Sequence, residues 1–283
     1  MTELTGRGAA TGVVVITGTG GMGRAIAHRL APGRHLVLAD VDEGALGEVS
    51  AALTGIGHVV TTQLVDVSDG DSVAELARVA AALGPVIAVA HTAGVSPVHA
   101  STDAIIAVDL VGTAHVLDAF APVVARGGAG VVIASMAGHM GPPIEPDVLL
   151  ALATAPADEL ASLPATEAIR GGDPGLAYTF AKRGNHVRVR AQSVAWGERG
   201  ARLNSISPGV IATPMGLAEL AGGSGAFMQA MVDGSGTGRL GTADDIAAAT
   251  EFLVGPSAAF VTGTDLLVDG GAVGALTTNQ IAF

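Results

Sequence analysis

The chain contains no cysteine, which excludes disulfides, thiolate nucleophiles and cysteine-ligated zinc or iron–sulfur centres, and fits a reducing compartment. Basic residues are scarce, 14 Lys and Arg against 26 Asp and Glu, for a net charge of -12. No run of them could displace counterions from a phosphate backbone, so nucleic acid is not an expected partner. The eight histidines are scattered, without a His-Glu-x-x-His pair or another short metal-ligand spacing, and no metal is expected. The start of the chain, Met1 to Gly8, lacks the apolar stretch of a secretory signal. The longest stretch free of charge, Val79 to Thr102, is interrupted by Gly84, Pro85, Gly94 and Pro97 and does not read as a membrane helix. A soluble, cytoplasmic protein with a small-molecule substrate is the expectation.

What the chain does have is apolar residues, 49%, and 41 glycines in a length of 283, the composition of one compact α/β domain over 1–283. Short Val- and Ile-rich runs recur at Val13–Thr17, His35–Ala39, Val59–Val65, Val86–Ala90, Val131–Ala134, Arg202–Ile206 and Asp265–Val268. Such runs suit strands buried on both faces. Between them lie alanine- and leucine-rich stretches of helical period, including 22–30, 72–83, 104–119 and 242–253. Strands alternating with helices predict a single doubly wound parallel sheet, Rossmann-like, with helices on both faces. Two segments interrupt the alternation. One, at about 140–175, reads as an insertion, and the other, at about 213–238, as a substrate loop; both are candidate pocket walls.

A glycine-rich turn follows the first strand, and Gly18, Gly20 and Gly23 satisfy G-x-G-x-x-G around Gly21 and Met22. Side chains at such glycines would hold pyrophosphate away from backbone N–H groups and the positive helix terminus. Asp40 ends the next strand, 22 positions beyond Gly18, where an acid accepts hydrogen bonds from the adenosine ribose. With Asp42 and Glu43 nearby and no adjacent base, a 2′-phosphate would be repelled by roughly 1 to 4 kcal/mol per carboxylate, which favours NAD(H). The bland alternative for Asp40 is a helix cap.

Tyr178 and Lys182 stand at i and i+4, one helical turn apart. A cation there is expected to lower the phenol's pKa towards working pH, as acid–base catalysis requires. With these residues in place, the chain resembles the short-chain dehydrogenase/reductase family over nearly its whole length. The resemblance rests on the Thr17–Gly23 loop, Asp40, Asp66-Val67, Ala93-Gly94, Ser135, Tyr178-x-x-x-Lys182, Pro208-Gly209 with Thr213, and Val268-Asp269-Gly270-Gly271, in the family's order. It implies that Tyr178 exchanges a proton with the substrate oxygen, that Ser135 hydrogen-bonds that oxygen, and that Lys182 binds the nicotinamide ribose. It further places Asp66 by the adenine, Ala93-Gly94 along the cofactor cleft and Thr213 near the carboxamide. A homotetramer or dimer is implied as well, through the 104–119 and 178–196 helices.

Three departures stand out. The glycine loop is one residue short, Thr92 replaces the family's asparagine before Ala93-Gly94, and Asp109 occupies the place of the relay asparagine. An aspartate there could accept from the relay water, favour protonated Lys182 and oppose ionisation of Tyr178, only slightly if solvated. The 43 positions between Ser135 and Tyr178 resemble the bacterial 3α-hydroxysteroid dehydrogenase/carbonyl reductase branch, implying a fairly large, apolar substrate. His139, Met136 and Met140 are candidate pocket residues, with core packing preferred for the methionines. The sequence thus points to an NAD(H)-dependent oxidoreductase of secondary alcohols and ketones; an NAD(H)-binding regulatory or redox-sensing protein without turnover is the alternative.

Overall fold

The computed structural model describes residues 12–281; the Met1 to Gly8 segment discussed above lies outside the described residues. Seven strands, β1 (Val13–Thr17), β2 (His35–Asp40), β3 (Val59–Leu64), β4 (Val86–His91), β5 (Val124–Ile133), β6 (Arg202–Pro208) and β7 (Asp265–Val268), form one sheet in the order 3-2-1-4-5-6-7. Every neighbouring pair is parallel. Starting from β1, the chain winds out one way through β2 and β3, then returns to build β4 to β7 on the other side. A cleft therefore opens beyond the carboxyl ends of β1 and β4, where ligands bind in such sheets.

The helices are α1 (Gly21–Leu30), α2 (Glu43–Gly55), α3 (Gly70–Leu83), α4 (Thr102–Ile105), α5 (Thr113–Phe120), α6 (Ala137–Met140), α7 (Pro146–Thr154), α8 (Pro164–Glu167), α9 (Pro174–Glu198), α10 (Pro214–Ala221), α11 (Gly225–Gly234), α12 (Ala243–Val254) and α13 (Ala272–Thr277). The central strands are buried on both faces, so each face needs its own apolar cover. On one face Val13, Val15, Val37, Val89 and Val132 pack with α3, Phe120 and Trp196. On the other, Val14, Ile16, Leu36, Leu38 and Ile133 pack with Ile26, Leu30, Leu46, Ile246 and Leu253.

The sequence reading of 104–119 as one regular helix needs correction. Between α4 and α5, residues Ile106–Gly112 wind as a π-helix, a rare form frequent at functional sites, and this segment carries Asp109. The 140–175 insertion also differs in role. It folds into α7, α8 and an intervening 3₁₀ turn (Ala157–Ser162), and packs Leu152 and Leu160 against Ile106, Leu110, Ala177 and Ala181. Its residues between Met140 and Gly175 cover α9 and line none of the cavities described below.

Trp196, fully buried near the end of α9, lies against β5 so closely that a Cβ on Gly130 would come within 2.7 Å of its ring. Trp196→Ala is expected to cost about 3 to 5 kcal/mol. Urea unfolding followed by far-ultraviolet circular dichroism measures this, and a loss below 1 kcal/mol would contradict the packing described.

Candidate active site

The glycine loop is built by backbone geometry. Gly18 has φ +86°, a region costly for other residues, and a Cβ on it would meet the Ala93 backbone at 2.5 Å. Gly23 is packed tighter still, since its Cβ would fall 1.9 Å from the Gly18 carbonyl oxygen, whereas Gly20 faces open space. Gly20 N-caps α1, whose first turn has neither a side-chain cap nor an acidic residue. Backbone N–H groups at that helix end are therefore left for an anion, and the missing loop residue does not close the approach.

A cleft of about 370 Å³ runs from this loop across the sheet edge. Gly18, Gly20, Gly21, Met22, Gly23, Asp40, Asp66, Val67, Ala93, Gly94 and Thr213, all expected at the cofactor from sequence, line it together with Val65, Thr92 and Val108, which were not foreseen. Pro208 and Gly209, also expected at the cofactor, line the adjoining cavity rather than this cleft. Gly209 fits there because a Cβ would strike Asp269 at 2.6 Å.

Asp40 does more than face the cleft. Its Oδ2 accepts from the Thr19 backbone N–H at 2.5 Å and from the Thr19 hydroxyl at 2.8 Å, while Oδ1 accepts from Asp42 N–H. The acid thus ties the shortened glycine loop to β2. It caps no helix; Asp42 caps α2. A carboxylate has about four acceptor sites, so capacity for a ribose hydroxyl persists. These donors, acceptors and glycine openings fit a dinucleotide.

A second cavity, about 270 Å³, adjoins the cleft at Met22, Thr213 and Met215. Ser135, just past the end of β5, and Tyr178, on α9, open into it, with Ser135 near enough to favour the ionised phenol. All six methionines of the described residues line it, namely Met22, Met136, Met140, Met215, Met228 and Met231. Met136 sits in a core cluster with Val210, Met231 and Val273 and Met140 packs against it, the packing preferred from sequence, and both also line the cavity. The 213–238 segment, as α10 and α11, supplies much of the wall, including Glu219, which sequence reasoning missed. His139 turns away instead. Its Nε2 lies 2.7 Å from Asp265 Oδ2, beside His186, which bonds Ser207. This is the one group among the described residues whose donor atoms could surround a metal, all within 4.8 Å; each donor is already engaged in a hydrogen bond, Asp265 also by Ser205.

Behind Tyr178 the decisive contact is an ion pair. Lys182 Nζ stands 2.8 Å from Asp109 Oδ1, 3.5 Å from the Ile133 carbonyl oxygen and 5.3 Å from the Tyr178 ring centre. Asp109 is 0% exposed and its Oδ2 also accepts from Val95 N–H at 3.3 Å. At 2.8 Å no water fits between the two charges, so the acid acts on the lysine directly rather than through a shared water. Gly94 is required beside them, as a Cβ there would lie 2.6 Å from Asp109 Oδ1.

The charges set each group's behaviour. Burial pushes the Asp109 carboxyl above its ordinary range, against Lys182 and the Val95 N–H. Burial alone would lower Lys182, but Asp109 and Tyr178 outweigh it and hold the ammonium above its usual value. The Tyr178 phenol is raised above 10, by burial first, with Asp109 and Glu219 adding to the rise and Lys182 and Ser135 opposing it. Lys182 does pull the phenol down as expected, but burial outweighs it and Asp109 offsets part of its effect. His91, fully enclosed between Thr17 and Thr113, is lowered to about 3 by burial and then by Lys182.

Residues 12–146 match the short chain dehydrogenase family and residues 159–273 the enoyl-(acyl carrier protein) reductase family. A short-chain dehydrogenase/reductase, bsc3, of Alternaria brassicicola is 39% identical over 93% of this chain and 96% of its own length. This chain belongs to the short-chain dehydrogenase/reductase family. The 3-alpha-hydroxysteroid dehydrogenase/carbonyl reductase of Comamonas testosteroni is 30% identical over 79% of this chain and 94% of that one. The solved structure of levodione reductase superposes with a TM-score of 0.74 at 27% identity, covering 93% of this chain and 98% of the other. The dehydrogenase/reductase is accordingly an oxidoreductase that uses an NAD(P) dinucleotide. No helix among its described residues is long and apolar enough to cross a membrane.

Two stability outcomes follow from the buried charges. Lys182→Met strands the Asp109 carboxylate and is expected to cost about 3 to 5 kcal/mol, with Lys182→Met/Asp109→Asn recovering most of it; additive losses in urea unfolding would contradict a coupled pair. For His91, a folded pKa of about 3 against an ordinary 6.5 means the unfolded chain binds the extra proton first. The contribution of neutral His91 is therefore present above pH 6.5 and is lost as pH falls from there towards 3. Wild-type unfolding midpoints should fall over that window, more steeply than those of His91→Gln; equal slopes would contradict the assignment.

Proposed function

We propose that the protein is an NAD(H)-dependent oxidoreductase of secondary alcohols and ketones with a fairly large, apolar skeleton. The observation that carries this reading is the joining of two cavities at one point. A glycine-lined cleft meets a methionine-lined cavity along Met22, Thr213 and Met215, and Ser135 and Tyr178 line the wall of that cavity. Bound nicotinamide would supply the hydride acceptor or donor, chemistry that no side chain provides.

The chain's own residues do the rest. N–H groups around Gly20 and Gly21 at the start of α1 would hold the pyrophosphate, with Asp66 and Val67 at the adenine and Thr213 near the carboxamide. Asp40 favours NAD(H), because a 2′-phosphate would meet its carboxylate and those of Asp42 and Glu43. In the oxidative direction Ser135 and Tyr178 grip the substrate hydroxyl. The phenolate of Tyr178 takes its proton, and Ser135 stabilises the charge developing on oxygen. Lys182 keeps a positive charge under the phenol and reaches the ribose; Asp109, which touches neither substrate nor ribose in this scheme, positions Lys182. The cavity supports the substrate class: thioethers conform to bulky aliphatic surfaces, and the Comamonas relative carries a hydroxysteroid activity in its name.

A homo-oligomer is part of the same reading. The insertion covers part of α9 and the π-helix, surfaces on which a tetramer of this family would draw, so a dimer is favoured, and sedimentation mass decides it.

NADH formation across secondary alcohols, steroids included, tests the function. Turnover with NAD⁺ should exceed that with NADP⁺, and Tyr178→Phe should lose about 100- to 10,000-fold. Tight NADH binding with no turnover of any alcohol would overturn the reading in favour of a regulatory role.

A further inference from the structure

The methionine-lined cavity holds one acid. Glu219, on α10, sits among Pro97, Val98, Met215 and Phe227, close enough to Tyr178 for its charge to act on the phenol. Its Oε1 accepts from the Ser96 hydroxyl at 2.5 Å, and Ser96 is 4% exposed. That bond ties the loop after β4 to the α10 wall and fixes where the carboxylate points. Oε2 receives no hydrogen bond from the described residues, and Glu219 is partly exposed where it lines the cavity.

A carboxylate in an apolar cavity is costly to dehydrate without a donor, and it can only accept. A purely hydrocarbon substrate would strip water from Oε2 and return nothing. A substrate carrying a second donor would restore the hydrogen bond. We propose that Glu219 is a specificity-determining anchor for a hydroxyl or ammonium group remote from the reacting carbon, so that the preferred substrates are apolar diols or hydroxy-ketones rather than simple apolar alcohols. The inference rests on the dehydrogenase reading given above and names the substrate class within it. Specificity of this kind is strong because a site built to bond a polar group rejects analogues lacking it.

The test uses matched pairs in the NAD⁺ assay: cyclohexanol beside cyclohexane-1,4-diol, and androstan-3-ol beside androstane-3,17-diol. Wild-type protein is expected to favour the diol of at least one pair in kcat/KM by about ten- to a hundredfold, the range of a charge-assisted hydrogen bond. Glu219→Gln and Glu219→Ala should collapse that ratio, chiefly through KM of the diol. Ser96→Ala frees the carboxylate to turn and should lower the ratio part-way, less than Glu219→Ala does. Equal kcat/KM within both pairs, or a Glu219→Ala loss shared equally by mono-ol and diol, overturns the anchor while the dehydrogenase reading stands. Tyr178-dependent turnover of neither member, with no quenching of bound NADH fluorescence by the corresponding ketones, overturns both.

Discussion

The site is organised around the buried contact between Asp109 and Lys182. A 2.8 Å pair with no solvent on the acid cannot be loosened on either side without stranding a charge. The surrounding structure is shaped to it. The π-helix brings Asp109 to the lysine, Gly94 leaves the space the carboxylate fills, and the Val95 N–H takes its second oxygen. From the other end, Thr113 bonds the Asp109 carbonyl oxygen and His91, which bonds Thr17 at the top of β1. The ion pair is thereby connected through hydrogen bonds to the strand from which the glycine loop departs.

That connection bears on reactivity. A lysine whose charge is matched at contact distance gives the neighbouring phenol less help than a free ammonium would. Burial and two acids, Asp109 and Glu219, then hold Tyr178 in its neutral form to higher pH. A neutral phenol is a proton donor, the state needed to reduce a ketone. The cationic nicotinamide of an oxidised cofactor would work against this bias, so the phenol would meet different electrostatic conditions with oxidised and with reduced cofactor.

Much of this was legible in the sequence. Val- and Ile-rich runs located all seven strands, most cleanly β1, β2 and β4, which are apolar because both faces are buried, while edge strand β3 is largely exposed; β1 and β7 match to the residue. The glycine fingerprint, Asp40, Ser135, Tyr178 and Lys182 were found because backbone approach and proton transfer tolerate few residue types. What was hidden depends on distance in space. Asp109 is a single letter whose effect turns on burial, and the short run Ile106–Gly112 carries no residue that marks it as a π-helix. Asp40's grip on Thr19 spans 21 positions and compensates a shortened loop. Six methionines scattered from Met22 to Met231 gather on one cavity only after folding, and Glu219 reads as a solvated helix residue until the wall of α10 is in place.

Tyr178 is the chain's only tyrosine, so its ionisation can be read directly from tyrosinate absorbance without substrate or assay. In the unliganded protein the account predicts a titration midpoint above that of free tyrosine, near ~10, and a midpoint moved to lower pH in Asp109→Asn. A wild-type midpoint below that of free tyrosine, or one that Asp109→Asn leaves in place, would contradict the claim that the buried acid acts on the Tyr178 phenol.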